Sequence, residues 1–284
     1  MYCAAIKMKQ RVLSGVVIAV VAISVLLLMN TVVFPIVWTV LAVMAVYEIE
    51  KVTQIKNKAL MILSLAFSAL FCLNEGFGFV DVSYSVVLAV YVLIMLTIML
   101  IGYDITKFEH VAVAFFASVA VPFAFSIFVY LRDINLNSDG KFSKTEGVYL
   151  ILLVLVCSWL TDVFAYFTGR AFGKHKLCPK ISPKKTVEGA IGGIIIPAVI
   201  NIIVLAVFEK FFFDGTVIPY WAMLIISPVL SVASMLGDLS ASTIKRNFGV
   251  KDFSNLIPGH GGIMDRFDSC LFVLPAIYVI VNLF

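Results

Sequence analysis

The stretch YSVVLAVYVLIMLTIMLI, Tyr84 to Ile101, runs for 18 residues without a single charge. As a helix rising 1.5 Å per residue it is about 27 Å long, close to the ~30 Å hydrocarbon core of a bilayer. Runs of the same kind recur on both sides of it. Of 284 residues 62% are hydrophobic and 13% charged, against roughly 45 to 50% and about 25% in soluble domains. No single water-facing globule can hide that much apolar surface, so the chain reads as an all-α polytopic membrane protein.

Nine transmembrane helices are expected: Val12 to Met29, Thr31 to Tyr47, Ala59 to Leu73, Tyr84 to Ile101, Val111 to Tyr130, Val148 to Thr168, Val187 to Phe208, Tyr220 to Leu236 and Gly262 to Phe284. The second and third are short, which leaves eight or ten as alternatives. Under the nine-span reading, 17 of the 21 Lys and Arg residues fall in segments on the side of the N-terminus. Basic loops stay in the cytoplasm, so the N-terminus is expected inside and the C-terminus outside. The basic loops after the sixth and eighth spans share a face even if an early span is miscounted. A bacterial cytoplasmic (inner) membrane is the expected location, with the working face toward the cytoplasm.

Lys7, Lys9 and Arg11 before an apolar run resemble a signal peptide, but the run is long and lacks a small-residue cleavage site. A retained first span is expected, with translation starting at Met1 or Met8. The five cysteines (Cys3, Cys72, Cys157, Cys178, Cys270) form no CxxC and no His/Cys cluster. Neither a zinc site nor a disulfide framework is indicated. No internal repeat is visible. The chain divides in character into 1–147, nearly charge-free spans with short loops, and 148–284, where polar residues enter helix ends and two loops become long, basic and glycine-bearing. Chemistry is expected in the second part.

Two regions there carry it. In the first, Asp162 lies within an apolar segment, where a lone carboxylate is expensive; a salt bridge to Arg170 would be the plainer explanation. Ser182-Pro183 reads as an N-cap followed by Pro at the first helical position. Lys184 and Lys185 then fall in the first helical turn, where the macrodipole disfavours cations. That arrangement calls for an anion, either a bound phosphate or anionic lipid headgroups. Gly189 and Gly193 lie on one helical face and are read as packing residues.

In the second region, a helix continuing past Asp238 places Ser242 and Lys245 on the same stripe, with Arg246 beside it. The Pro258-Gly-His-Gly-Gly262 turn can bring backbone close to a ligand. Asp265 and Asp268 follow at i and i+3 at the start of the last span, flanked by Arg266 and Ser269. Oxygen ligands of this type suit Mg2+, which takes one or two protein carboxylates and completes its shell with water and phosphate oxygens. Interhelical salt bridges are the competing explanation. His260 could act as an acid, position a phosphate or cap the loop. No Ser/His/Asp relay or Gly-x-Ser-x-Gly elbow is present.

Read as SxxKR, four residues, KD, then PGHGG, then DRFD, the 27 positions from Ser242 to Asp268 resemble the signature of phosphatidate cytidylyltransferases, also called CDP-diacylglycerol synthases. The upstream AYFTGRAFGKHKLCPKISPKKTVEGAIGG is similar to that family's other characteristic stretch. The first 150 residues add little beyond hydrophobicity. The resemblance implies that CTP and phosphatidate give CDP-diacylglycerol and pyrophosphate, with Mg2+ required. Carried onto this chain, it makes Asp238 and Asp265 the principal metal ligands, with Asp162 and Asp268 supporting. The family is also associated with homodimers and with K+ sharing the metal site.

The chemistry is consistent with the residues. A phosphate monoester has a second pKa of about 6, so phosphatidate needs no strong base to attack the α-phosphorus of CTP. What the reaction needs is compensation of charge. Lys245 and Arg246, with Asp238 and Asp265, form the expected catalytic set. Ser182, Lys184, Lys185, Ser242, Lys251, His260, Gly261, Gly262 and Arg266 form the expected substrate-binding set. A CTP-dependent polyprenol or dolichol kinase-like enzyme is the alternative within membrane enzymes. A transporter is more distant, since transporters usually carry pseudo-repeated halves. No nucleic-acid partner is expected.

Overall fold

A computed structural model describes residues 15, 20, 22–138, 141–212 and 218–283. The first half of the first expected span, Val12 to Met29, lies largely outside the described residues, as do Cys3, Met8 and the basic residues Lys7, Lys9 and Arg11; residues 22–27 are helical. The elements that follow are α1 (Val33–Val52), α2 (Lys58–Phe77), α3 (Tyr84–Ile101), α4 (Phe108–Arg132), α5 (Ile134–Asn137), α6 (Lys144–Phe172), β1 (Lys176–Cys178), β2 (Ser182–Thr186), α7 (Val187–Phe212), α8 (Tyr220–Asn247), α9 (Met264–Phe267) and α10 (Cys270–Leu283). Among the described residues, seven helices (α1 to α4 and α6 to α8) are long and apolar enough to cross a membrane, and α10 is a shorter apolar helix.

The chain folds into two compact units, one of Met1–Val129 with Asn247–Phe267, the other of Tyr130–Arg246 with Asp268–Phe284. In the first unit, Trp38 of α1 is the centre of an aromatic cluster. Its ring stacks on Phe128 at 3.7 Å between centroids and meets Phe34, Phe125 and Phe267 edge-on. Polar side chains link the helices: Ser64 of α2 donates to Glu50 of α1, and Tyr91 of α3 shares a 2.6 Å hydrogen bond with Ser118 of α4. Asn57 caps α2 through Ala59 N and Leu60 N, and its amide donates to Thr106 at 2.7 Å.

The second unit is built on the pairing of α6 and α7. Helix α6 begins with a capping box between Ser143 and Glu146. Gly189 and Gly193 let the backbones approach: a Cβ on Gly189 would lie 2.6 Å from the Ala165 carbonyl, and one on Gly193 2.8 Å from that of Thr161. Gly189→Ala is therefore expected to force α6 and α7 apart at a cost of about 1 to 3 kcal/mol. A fall of several degrees in the melting temperature of the detergent-solubilised protein would register it.

Ser182 does not cap α7, contrary to the expectation from Ser182-Pro183. Ser182–Thr186 is a strand paired antiparallel with Lys176–Cys178, and α7 begins at Val187. Its cap is Thr186, whose hydroxyl accepts from Gly189 N at 3.1 Å, which is the Ncap-to-N3 bond that starts a helix. Lys184 and Lys185 thus lie on a strand and never oppose the α7 dipole. The first turn carries Glu188 instead, the favourable sign. The last span is also interrupted, since α9 ends at Phe267 and α10 starts at Cys270. Asp265 and Asp268 therefore do not share one helix.

Candidate active site

Helix α8 has 28 residues, about 42 Å, and exceeds a ~30 Å apolar core by about two turns. The excess is its polar end, and the expected stripe forms there. Ser242 donates to Asp238 at 3.4 Å, and Asp238 is ion-paired with Lys185 of β2. One further turn on, the Lys245 ammonium stands 3.9 Å from Asp268. Arg246 is exposed and reaches the Ile181 carbonyl of the hairpin turn at 3.5 Å. The strand is what brings Lys185 to Asp238.

Asp268 is buried in the link before α10, and Ser269 N donates to it at 2.9 Å. Its charged neighbours are the Asp238 and Asp162 carboxylates and the Lys245 ammonium. The link can pass this close because α8 carries Gly237, where a Cβ would lie 2.5 Å from the Asp268 carbonyl. Asp162 of α6 accepts from Ser269 at 3.1 Å. Arg170 donates to Tyr166 rather than forming the salt bridge considered for Asp162. Asp162, Asp238 and Asp268, with Lys185, Lys245 and Ser242, thus belong to one neighbourhood of the second unit.

This donor set contains only carboxylate and hydroxyl oxygens. Among the described residues no group of three or more His, Cys, Asp or Glu could hold a metal ion by itself. The set fits Mg2+, a hard ion that relies on substrate phosphates and water for most of its shell. A divalent cation would also relieve the repulsion among these carboxylates.

The PGHGG turn and Asp265 belong to the first unit. Ile257 and Gly261 form an isolated antiparallel bridge, with Ile257 N donating to the Gly261 carbonyl at 2.8 Å. Gly259 and Gly261 take φ of 79° and 83°, a region that side chains avoid. Asp265 is 8% exposed, and its Oδ2 accepts from Phe253 N at 2.8 Å and Gly262 N at 3.0 Å. His260 N closes the turn onto the Ile257 carbonyl at 2.9 Å. Lys184, Lys251 and Arg266 present exposed side chains.

Sequence reasoning missed Glu48. The expected second span stopped at Tyr47, but α1 runs on to Val52 and carries Glu48 and Glu50 as buried residues. Glu48 accepts from Ile263 N, Met264 N and the Ser254 hydroxyl. The available signal was a carboxylate next to an apolar span, which is costly unless partnered.

The pattern of the cytidylyltransferase family matches residues 9–284. The chain is 35% identical over 283 residues to the phosphatidate cytidylyltransferase of Bacillus subtilis (strain 168), covering 98% of this chain and 99% of that protein. It is 39% identical over 192 residues to the phosphatidate cytidylyltransferase of Staphylococcus saprophyticus, covering 66% and 68%. Against that of Staphylococcus haemolyticus (strain JCSC1435) the identity is 46% over 139 residues, covering 49% and 51%. Matched over nearly its whole length by family pattern and by a full-length relative, the chain belongs to the cytidylyltransferase family.

Proposed function

We infer that this chain is a phosphatidate cytidylyltransferase, transferring CMP from CTP to phosphatidate and releasing pyrophosphate. The observation that carries this reading is the full-length similarity to the Bacillus subtilis enzyme. It is joined by an acidic and basic cluster at the end of a helix longer than the apolar core. In this reading the lipid phosphate, already anionic, attacks the α-phosphorus of CTP in line, and the P–O bond to the departing pyrophosphate breaks.

The residues divide the work by charge. Lys185 and Lys245, held against Asp238 and Asp268, are the cations that exchange a carboxylate partner for a phosphate oxygen as substrate enters. Lys184 and Arg246 are exposed nearby in sequence on the same strand and helix and extend the basic surface. Ser182, Ser242, Lys251, His260, Gly261, Gly262 and Arg266 complete the proposed substrate-binding set. Asp238 and Asp265 are the proposed principal ligands of Mg2+, with Asp162 and Asp268 supporting, and K+ is proposed to share the site. When bound, the metal supplies Lewis-acid polarisation of phosphoryl oxygens.

The finer topology is part of the same proposal: nine spans, an N-terminus in the cytoplasm, a C-terminus outside, and a homodimer in the bacterial inner membrane. The distribution of Lys and Arg supports it. So does the reaction, because CTP is a cytoplasmic nucleotide. The deciding experiment uses purified protein with phosphatidate and CTP, with and without Mg2+. Pyrophosphate and CDP-diacylglycerol should appear together only with the metal. Release of CDP with a phosphorylated alcohol would instead identify a lipid kinase, and no product across lipid compositions would remove the reading.

A further inference from the structure

We propose that Glu48 is the positioning residue of the turn bearing Asp265, so that helix α1 sets the geometry of a signature more than 200 residues downstream. The proposal deepens the cytidylyltransferase reading and rests on it for its kinetic arm. Glu48 is 3% exposed, and both of its oxygens are used. Oε1 accepts from the Ser254 hydroxyl at 2.6 Å and from Ile263 N at 3.0 Å; Oε2 accepts from Met264 N at 2.8 Å. One carboxylate thus binds the turn at both its ends.

Gly262 records how close the approach is. A Cβ there would lie 2.4 and 2.5 Å from the two Glu48 oxygens, and three hydrogen bonds oppose any retreat of the carboxylate. The same glycine donates its N–H to Asp265 Oδ2 at 3.0 Å. Glu48 fixes the backbone of residues 262–264, and that backbone fixes the Asp265 carboxylate. Glu50, two residues on, points elsewhere and accepts from Ser64 of α2.

A carboxylate offers acceptors only, whereas an amide presents a donor on one side. Glu48→Gln keeps size and shape but sets an N–H2 against a backbone N–H. At least one of the three bonds is then lost, in a site where a buried unpaired donor is costly. A residue that merely fills and satisfies its surroundings would change stability alone; a positioning residue changes turnover as well.

The test compares the full-length wild-type protein with Glu48→Gln, Ser254→Ala and Glu50→Gln in nanodiscs. The readouts are amide hydrogen exchange over residues 253–267, kinetics with CTP and phosphatidate, and the melting temperature. Glu48→Gln should speed exchange at Ile263 and Met264 by about tenfold or more and lower kcat by about 100-fold, the penalty for roughly 1 Å of misplacement. The KM for phosphatidate should hardly move, and the melting temperature should fall by no more than a few degrees, as one lost buried hydrogen bond requires. Ser254→Ala should shift both readouts in the same direction by a smaller factor, and it carries the test if Glu48→Gln does not fold. Glu50→Gln should leave exchange in the turn as it was.

Unchanged exchange in the turn overturns the proposal whatever the turnover, and so does faster exchange with wild-type turnover. A wild-type protein that makes no CDP-diacylglycerol would defeat the enzymatic reading instead. The exchange arm would still report whether Glu48 holds the turn.

Discussion

Asp238→Asn is expected to lower kcat/KM for CTP about 1,000-fold, equivalent to about 4 kcal/mol of transition-state stabilisation. Asp238 is the carboxylate that Lys185 and Ser242 both engage, and its charge acts on the nearby Asp268. The amide keeps the volume and one acceptor but removes the charge needed by a metal and by Lys185. Fold stability should change little. The Asp238 and Lys185 side chains are 23% and 21% exposed, and partly solvated pairs of this kind are worth about 1 kcal/mol or less. Steady-state kinetics across a Mg2+ titration, run beside a thermal melt, give the answer. A loss below tenfold at saturating Mg2+ would sink the assigned role, and a collapse of the melting temperature would make Asp238 structural.

The second large effect is expected at Asp265, where two substitutions separate two causes. Its Oδ2 accepts from Phe253 N and Gly262 N, so an asparagine that places its carbonyl oxygen there keeps both backbone bonds. Asp265→Asn removes charge alone, and a fall in kcat of about 1,000-fold is expected if that charge serves a metal. Asp265→Ala removes charge and both bonds. It should add a local loss of order, read as faster amide exchange at Phe253 and Gly262. Near-normal activity of Asp265→Asn would show that the carboxylate serves the turn and nothing else.

Much of this fold is legible along the chain because the bilayer imposes a local rule. Tyr84 to Ile101 is expected as a span and found as helix α3 with the same limits. The continuation of α8 beyond Asp238, and the packing role of Gly189 and Gly193, follow equally from spacing on one helix. The errors share a cause. Ser182-Pro183 has the local marks of a helix start, yet pairing with Lys176–Cys178 satisfies its backbone and hands the cap to Thr186. The break at Asp268 is invisible to hydropathy, since the apolar run resumes at Cys270.

What the sequence by itself determined is the membrane class and the family the chain resembles, and it supplied the candidate site residues. Each depends on composition or on residues close along the chain. Only the tertiary structure decided which partner each charge has: Lys185 with Asp238, Asp162 with Ser269, and Glu48 with backbone 215 positions away. The physical reason is that periodicity tells which face a side chain occupies, whereas a buried carboxylate is settled by whichever donors the folded chain delivers to it.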